Sequence, residues 1–220
     1  MYLPKHFAAE GPQVLHELIR TCPFATLVTS SAVGLDANHL PMLFDASGGG
    51  HGILQGHVAR ANPVWQQLAC EQEVLAIFQG PQTYISPNWY ASKREHGKVV
   101  PTWNYATVHA HGKARAIEDR EWLLDLVSRL TDTHEASHEP RWKVADAPAE
   151  YLESMLRAIV GVEIEVTRIE GKWKVSQNRP PGDIPGVIQG LESRGDENSR
   201  AMAGLVERFT RTAGTQNEKG

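Results

Sequence analysis

Residues 103–117, WNYATVHAHGKARAI, decide the fold. In the second half of this run Val108, Ala110, Gly112, Ala114 and Ala116 alternate with His109, His111, Lys113 and Arg115. A period of two places one set on a buried face and the other in water, the pattern of a long strand at the edge of a core. Downstream, Val162, Ile164 and Val166 alternate with Glu163, Glu165 and Thr167, an expected half-buried antiparallel strand. Glu170-Gly171 is expected to turn that strand into another at 172–177. Upstream lie further β-type runs at 24–29, 35–44, 53–58, 74–78 and 83–85, with Pro41 marking an edge or a bulge in the second. Ser47 to Gly50 forms a hairpin tip.

Helical spacing occupies the gaps. At 12–20, Val14, Leu15, Leu18 and Ile19 share a face. Asn62-Pro63 opens a helix with Trp65 and Leu68 turned inward. Asp119 caps a helix carrying Trp122, Leu123, Leu126, Val127 and Leu130, and Asp146 caps another that Gly161 ends. The polar, basic stretch 88–99 reads as a loop. Past Pro180-Pro181-Gly182, Ile184, Val187, Ile188 and Leu191, and then Met202, Leu205, Val206 and Phe209, mark two short amphipathic helices. About seven strands, mostly in a meander with helices attached, predict an α+β, mainly β, antiparallel β-barrel with peripheral helices. An alternating βαβ series and a GxGxxG fingerprint are both missing, which excludes a Rossmann-type site. The expected organisation is a barrel domain over 1–180, a helical extension over 181–212 and a disordered tail over 213–220.

The 220 residues, 41% hydrophobic and 22% charged, suffice for one substantial core. A net charge of -4 gives no chain-wide basic bias, so any nucleic-acid contact must be local. Cys22 and Cys70 lack metal spacing and are expected as reduced core thiols. The first residues lack a signal-peptide run, and no apolar stretch nears the ~20 residues that cross a bilayer. The expectation is a soluble, cytoplasmic protein without a membrane partner.

Several segments could carry chemistry. In Gly56 to Pro63, GHVARANP, Arg60 follows a strand and precedes a capped helix. Its guanidinium could fork onto a phosphate or close a structural salt bridge, and the segment alone leaves both open. Ser92 to Lys98 is basic, either a solvated surface or a flap over an anion. In Val99 to Tyr105, VVPTWNY, Trp103 and Tyr105 share one face and Thr102 and Asn104 the other; the amide and hydroxyl could read a ligand's polar edge, while a packed aromatic core explains the two aromatics equally well and the polar pair less well. His109 and His111 share a face, but a metal wants a third ligand that the sequence does not supply, so no metal is assigned. Lys172, Lys174 and Ser176 align as a guarded sheet edge or as the wall of an anion site. Without a GxSxG elbow, HExxH or P-loop, no catalytic residue is assigned.

Taken together, MYLPKHF at 1–7, GHVARANP at 56–63, FQGPQTYISPNWY at 78–90, VPTWNY at 100–105, VHAHG at 108–112 and GKWKVSQN at 171–178 resemble the PaiB-type family of FMN-binding negative transcriptional regulators. The resemblance covers 1 to about 191, and the remainder matches loosely. It implies an FMN-binding split barrel, similar to the pyridoxamine-phosphate-oxidase-like proteins, that forms a homodimer with FMN between subunits. By position, His39, Leu40 and Pro41 would flank the flavin, Arg60 and Asn62 would lie near its phosphate, and Asn104 and Thr107 near the ring. Lys174 and Gln177 would reach in from the last strand, and His57 and Thr102 complete the expected cofactor-binding set. Asn38 and Asn88 depart from the Thr and Ser expected there.

The implied function is negative regulation of transcription with FMN as a sensed or structural ligand; the alternative is a flavin-dependent oxidoreductase in which the cofactor carries the chemistry. Direct DNA binding by the paired C-terminal helices would want positive charge. Residues 192–220 hold five basic and five acidic side chains, so dimer packing is the preferred use of those helices.

Overall fold

The structure, a computed structural model, describes residues 1–9, 11–32, 34–68 and 72–216, with side chains as far as Arg211. The seven strands are β1 (Phe24–Ser31), β2 (Gly34–Pro41), β3 (Leu43–Asp45), β4 (Ile53–Ala59), β5 (Gln72–Ile85), β6 (Thr102–Ile117) and β7 (Ile159–Lys174). They form one sheet in the order β2-β1-β5-β6-β7-β4-β3. The helices are α1 (Pro12–Thr21), α2 (Val64–Gln67), α3 (Ser92–His96), α4 (Arg120–His134), α5 (Ala149–Arg157), α6 (Ile184–Glu192) and α7 (Glu197–Gln216). This is the α+β, mainly β fold of the split-barrel class that the strand pattern and the resemblance imply.

The sheet order carries a topological consequence. β2 and β3 are its two edges, yet only Met42 separates them in the chain. One residue cannot span an open sheet, so the sheet rolls until its edges meet. β2 pairs with β1 from Phe24↔Pro41 to Ser31↔Gly34, and β3 pairs with β4 from Leu43↔Gln55 to Asp45↔Ile53. Pro41 is therefore the corner where the chain leaves one ladder and joins another, and it lies on an edge strand, the first of the two alternatives its proline offered. At that corner a Cβ on Gly56 would come within 2.9 Å of the Pro41 carbonyl. Alternation fills the roll: Ala25 and Leu27 of β1, Leu54 of β4, Ala106, Val108 and Ala110 of β6 and Val160, Val162 and Ile164 of β7 are buried.

Two compact units emerge, each built from separate stretches of chain. One comprises His16–Phe78 and His109–Ile169 and contains residues of all seven strands. The other comprises Met1–Leu15, Gln79–Val108 and Glu170–Gly220. In the latter, α6 packs on α7, and Trp173 stacks on Phe209 with ring centroids 6.0 Å apart. α6 also lies flat on Trp89: a Cβ on Gly186 would fall 2.0 Å from the Trp89 carbonyl oxygen, and one on Gly190 2.3 Å from its ring.

Several boundaries differ from the sequence reading. The runs at 74–78 and 83–85 are one strand, β5, whose buried side shifts phase around Pro81, which cannot donate to a ladder. β7 does not turn at Glu170-Gly171 but runs on to Lys174; Gly171 is there because a Cβ would fall 2.2 Å from Leu15. Gly161 does not stop a helix. It lies in β7, opposite His57, where a Cβ would fall 2.2 Å from the Trp122 ring. Asp119 caps α4 as expected, accepting from the Trp122 amide at 2.7 Å. Asp146 instead closes a short turn, Val144–Asp146, and α5 starts after the extended Pro148. The stretch 88–99 is not all loop, since it contains α3 and a 3₁₀ turn at Pro87–Trp89. α7 is a long helix that reaches Gln216, into the stretch expected to be disordered; 217–220 lie outside the described residues. Cys22 is half-buried, not a core thiol, and Cys70 lies outside the described residues.

Candidate functional site

Within the all-strand unit, the corner at Pro41 gathers part of the expected set. His39 is exposed on the edge strand β2 and stacks on Phe24, with centroids 6.2 Å apart; Leu40 turns inward and is buried. Asn62 reaches the same strand, donating from Nδ2 to Asn38 Oδ1 at 2.7 Å, while its own Oδ1 accepts from the Val64 amide at 3.0 Å. The Asn at position 38 is thus the side-chain partner of Asn62.

Arg60 stands apart from that group. Its Nε donates to the Arg157 carbonyl at 2.8 Å, one terminal nitrogen to Glu118 at 2.5 Å and the other to the Ile159 carbonyl at 3.2 Å. The guanidinium therefore fastens the start of β7 to the end of β4, the structural alternative the segment had left open. His57 faces outward from β4 into an apolar cavity walled by α4 and α5. Burial holds its imidazole below the usual histidine range, and its Nδ1 is sealed from water with no hydrogen-bond partner.

Within the other unit, β6 and β7 assemble a second polar group. Lys174 Nζ bonds Thr102 Oγ1 and donates to the Trp103 carbonyl at 3.0 Å. Burial first, and then the charge of Lys172, push the Lys174 amine below the usual lysine range. Asn104 is fully buried and donates from Nδ2 to Ser176 Oγ at 2.8 Å, while its Oδ1 has no hydrogen-bond partner. Ser176 holds φ +67°, an uncommon conformation for a residue with a side chain. Gln177 folds back, its Nε2 donating to the Trp173 carbonyl at 2.5 Å and its Oε1 accepting from the Val175 amide at 2.7 Å. Thr107 is buried on the same strand as Asn104.

Beside this group, Lys172 sits in an aromatic cage, 5.5 Å from the ring centroids of Tyr2 and Tyr105, and donates to the Tyr2 carbonyl at 3.1 Å. Sequence reasoning aligned Lys172, Lys174 and Ser176 but missed the cage and a buried clamp. In that clamp Asp183 accepts from the Ser92 amide and hydroxyl, both at 2.9 Å, and from Arg179 at 2.5 Å. Burial alone would raise the Asp183 carboxyl, but these donors outweigh it and hold the group below the usual carboxylate range. Arg179 and Asp183 stand four apart, but Ser92 is far away in sequence, so the clamp as a whole has no local signal. Among the described residues no cluster of His, Cys, Asp or Glu could hold a metal ion, and no helix is long and apolar enough to cross a membrane.

Against known proteins, residues 1–168 match the family model described as "Putative FMN-binding domain". The chain belongs to this family. A relative at the level of whole sequence is the protease synthase and sporulation protein PAI 2 of Bacillus subtilis, 36% identical, with 94% of this chain and 97% of that protein covered. An uncharacterized protein of Emericella nidulans is 34% identical over 94% of this chain and 96% of its own. Among solved structures, the flavocytochrome Anf3 of Azotobacter vinelandii superposes with a TM-score of 0.56 at 13% identity, covering 76% of this chain and 69% of that one. The FAD and heme binding protein of Mycobacterium smegmatis gives the same TM-score at 14% identity, covering 76% and 72%. At such identities these two likenesses establish the fold.

The family's cofactor is FMN, and the residues present fit it in kind. A flavin ring asks for donors at its carbonyl edge and an acceptor for its ring N–H. Lys174 and Thr102 are half-buried donors, and Asn104 holds an unmet acceptor beside them in the same unit.

Proposed function

We propose that this PaiB-like FMN-binding protein is a cytoplasmic homodimer that carries FMN between its subunits and acts as a negative regulator of transcription, with the flavin as sensed or structural ligand. The observation that carries the reading is the match of an FMN-binding family over residues 1–168 in a chain that also aligns end to end with PAI 2. That relative's name ties it to protease synthesis and sporulation, which speaks for control of a cellular programme. In the proposed complex Lys174 and Thr102 hold the ring's carbonyl edge, with Gln177, Asn104 and Thr107 shaping the wall behind them.

When bound, FMN would supply a redox-active ring; the chain's own groups orient it and limit its access to water. Arg60, already engaged on three sides, fastens β7 to β4. Dimer packing of α6 and α7, in place of direct DNA reading, follows from the balanced charge of 192–220.

The test is a flavin titration of the purified chain, followed by absorbance, with light scattering for the subunit count. Saturable binding of one FMN per subunit in a dimer is expected. Lys174→Gln should weaken it roughly tenfold or more, the usual effect of losing one charge-assisted bond. Flavin that stays unreduced by NADH and NADPH supports the regulator; turnover with either would move the reading to an oxidoreductase. A colourless protein that binds no FMN overturns both.

A further inference from the structure

The cavity around His57 is walled mostly by apolar side chains. About 260 Å3 of space lies between β4, α4 and α5, with His57 and Ile159 from the sheet and Leu152, Met155 and Tyr151 from α5, and Trp142 beside them. No lysine, arginine, aspartate or glutamate lines it. Three large apolar side chains at its mouth stand open to water: Trp142 at 47%, Tyr151 at 58% and Met155 at 41% exposure. A soluble surface ordinarily keeps such groups apart, and an apolar hollow with one well-placed polar group is the form that small-molecule sites take. Here the His57 imidazole supplies such a group, with the Thr131 hydroxyl also on the wall, and its Nδ1 has no hydrogen-bond partner.

We propose that this cavity is a binding site for a small uncharged aromatic molecule of one or two rings bearing a hydroxyl or ring N–H, which hydrogen-bonds to His57. Size and charge select the class. A cavity of about 150 Å3 accommodates one benzene ring, so 260 Å3 holds a bicyclic molecule but little more. FMN does not suit it: the phosphate would lie against walls without a cation, at a large desolvation cost. The site is therefore independent of the flavin-binding reading, and either can fail without the other. A purely aliphatic ligand would fill the space yet leave the imidazole unmet. A neutral hydroxyl supplies the imidazole a hydrogen-bond partner at no charge.

The probe is 2-naphthol, titrated into the full-length chain by calorimetry with and without saturating FMN. We expect saturable one-to-one binding that FMN does not displace. The methyl ether, 2-methoxynaphthalene, has the same shape without the O–H and should bind roughly tenfold more weakly, the effect of one neutral hydrogen bond. His57→Phe should abolish the difference between the two probes, a readout that a general loss of stability would not give. Ala147→Trp, at the cavity wall, should eliminate binding of both with little change in unfolding midpoint. Four outcomes would each overturn the site: no saturation up to the solubility limit, equal affinity for naphthol and its ether in the unaltered chain, competition by FMN, or a dimer that dissociates in Ala147→Trp, which would make the cavity a subunit contact.

Discussion

At the scale of single residues, Arg60 illustrates how far a motif can be read. The sequence placed it after a strand and before a cap, and both positions hold: Ala59 ends β4, and Asn62 bonds the Val64 amide. What it grips was not legible, because Glu118, Arg157 and Ile159 arrive from distant parts of the chain. Arg60→Ala should therefore act on stability. The loss of these bonds is expected to cost about 1–2 kcal/mol, with FMN affinity of the folded protein changed by less than about threefold. Urea denaturation beside a flavin titration separates the two; a large affinity loss at unchanged stability would restore Arg60 to the cofactor. Lys174 and Asn104 were singled out by type and spacing, and they do share one neighbourhood. Ser176 was aligned with the two lysines, but its positive φ was not legible, because no side-chain pattern encodes a backbone angle.

At the scale of elements, existence was easier to read than extent. Period-two and helical patterns located the strands and most of the helices, since burial on one face writes itself into the sequence. Two of the errors fell on glycines. Gly161 and Gly171 looked like punctuation, yet both lie within β7, where each admits a neighbouring side chain. A glycine that stops an element and one that yields to a ring look alike until the ring is placed. Gly186 gives this idea its sharpest test. Alanine in a helix interior normally gains ~1 kcal/mol over glycine. On α6 the added carbon would meet the backbone oxygen of Trp89, which cannot swing aside. Gly186→Ala should therefore destabilise by about 1–3 kcal/mol. Thermal unfolding decides the sign, and a stabilised variant would mean that α6 does not rest on Trp89.

At the scale of the whole molecule, acidity and ligand act through linkage. His16, His57, His109 and His111 all sit below the usual histidine range, each chiefly through burial. Unfolding releases them to about 6.5, so the unfolded chain binds more protons in the interval beneath that value. Stability should then hold above about pH 7.5 and decline as pH falls through 6.5 toward the folded values. The depressed carboxyls, Asp183 among them, titrate too low to contribute in that window. An unfolding midpoint unchanged between pH 8 and pH 5.5 would count against it. FMN at a hundred times its dissociation constant should add about 2.7 kcal/mol, moving the midpoint up by roughly 5–10 °C. The single residue at Met42 reaches furthest at this scale. Because β2 and β3 are successive steps of one backbone, their ladders are geared together: sliding β2 along β1 would drag β3 along β4. Register slip, the ordinary failing of edge strands, would have to happen on both edges at once, so hydrolysing one peptide bond beside Met42 would free two edges for the slippage and intermolecular pairing that the intact chain resists.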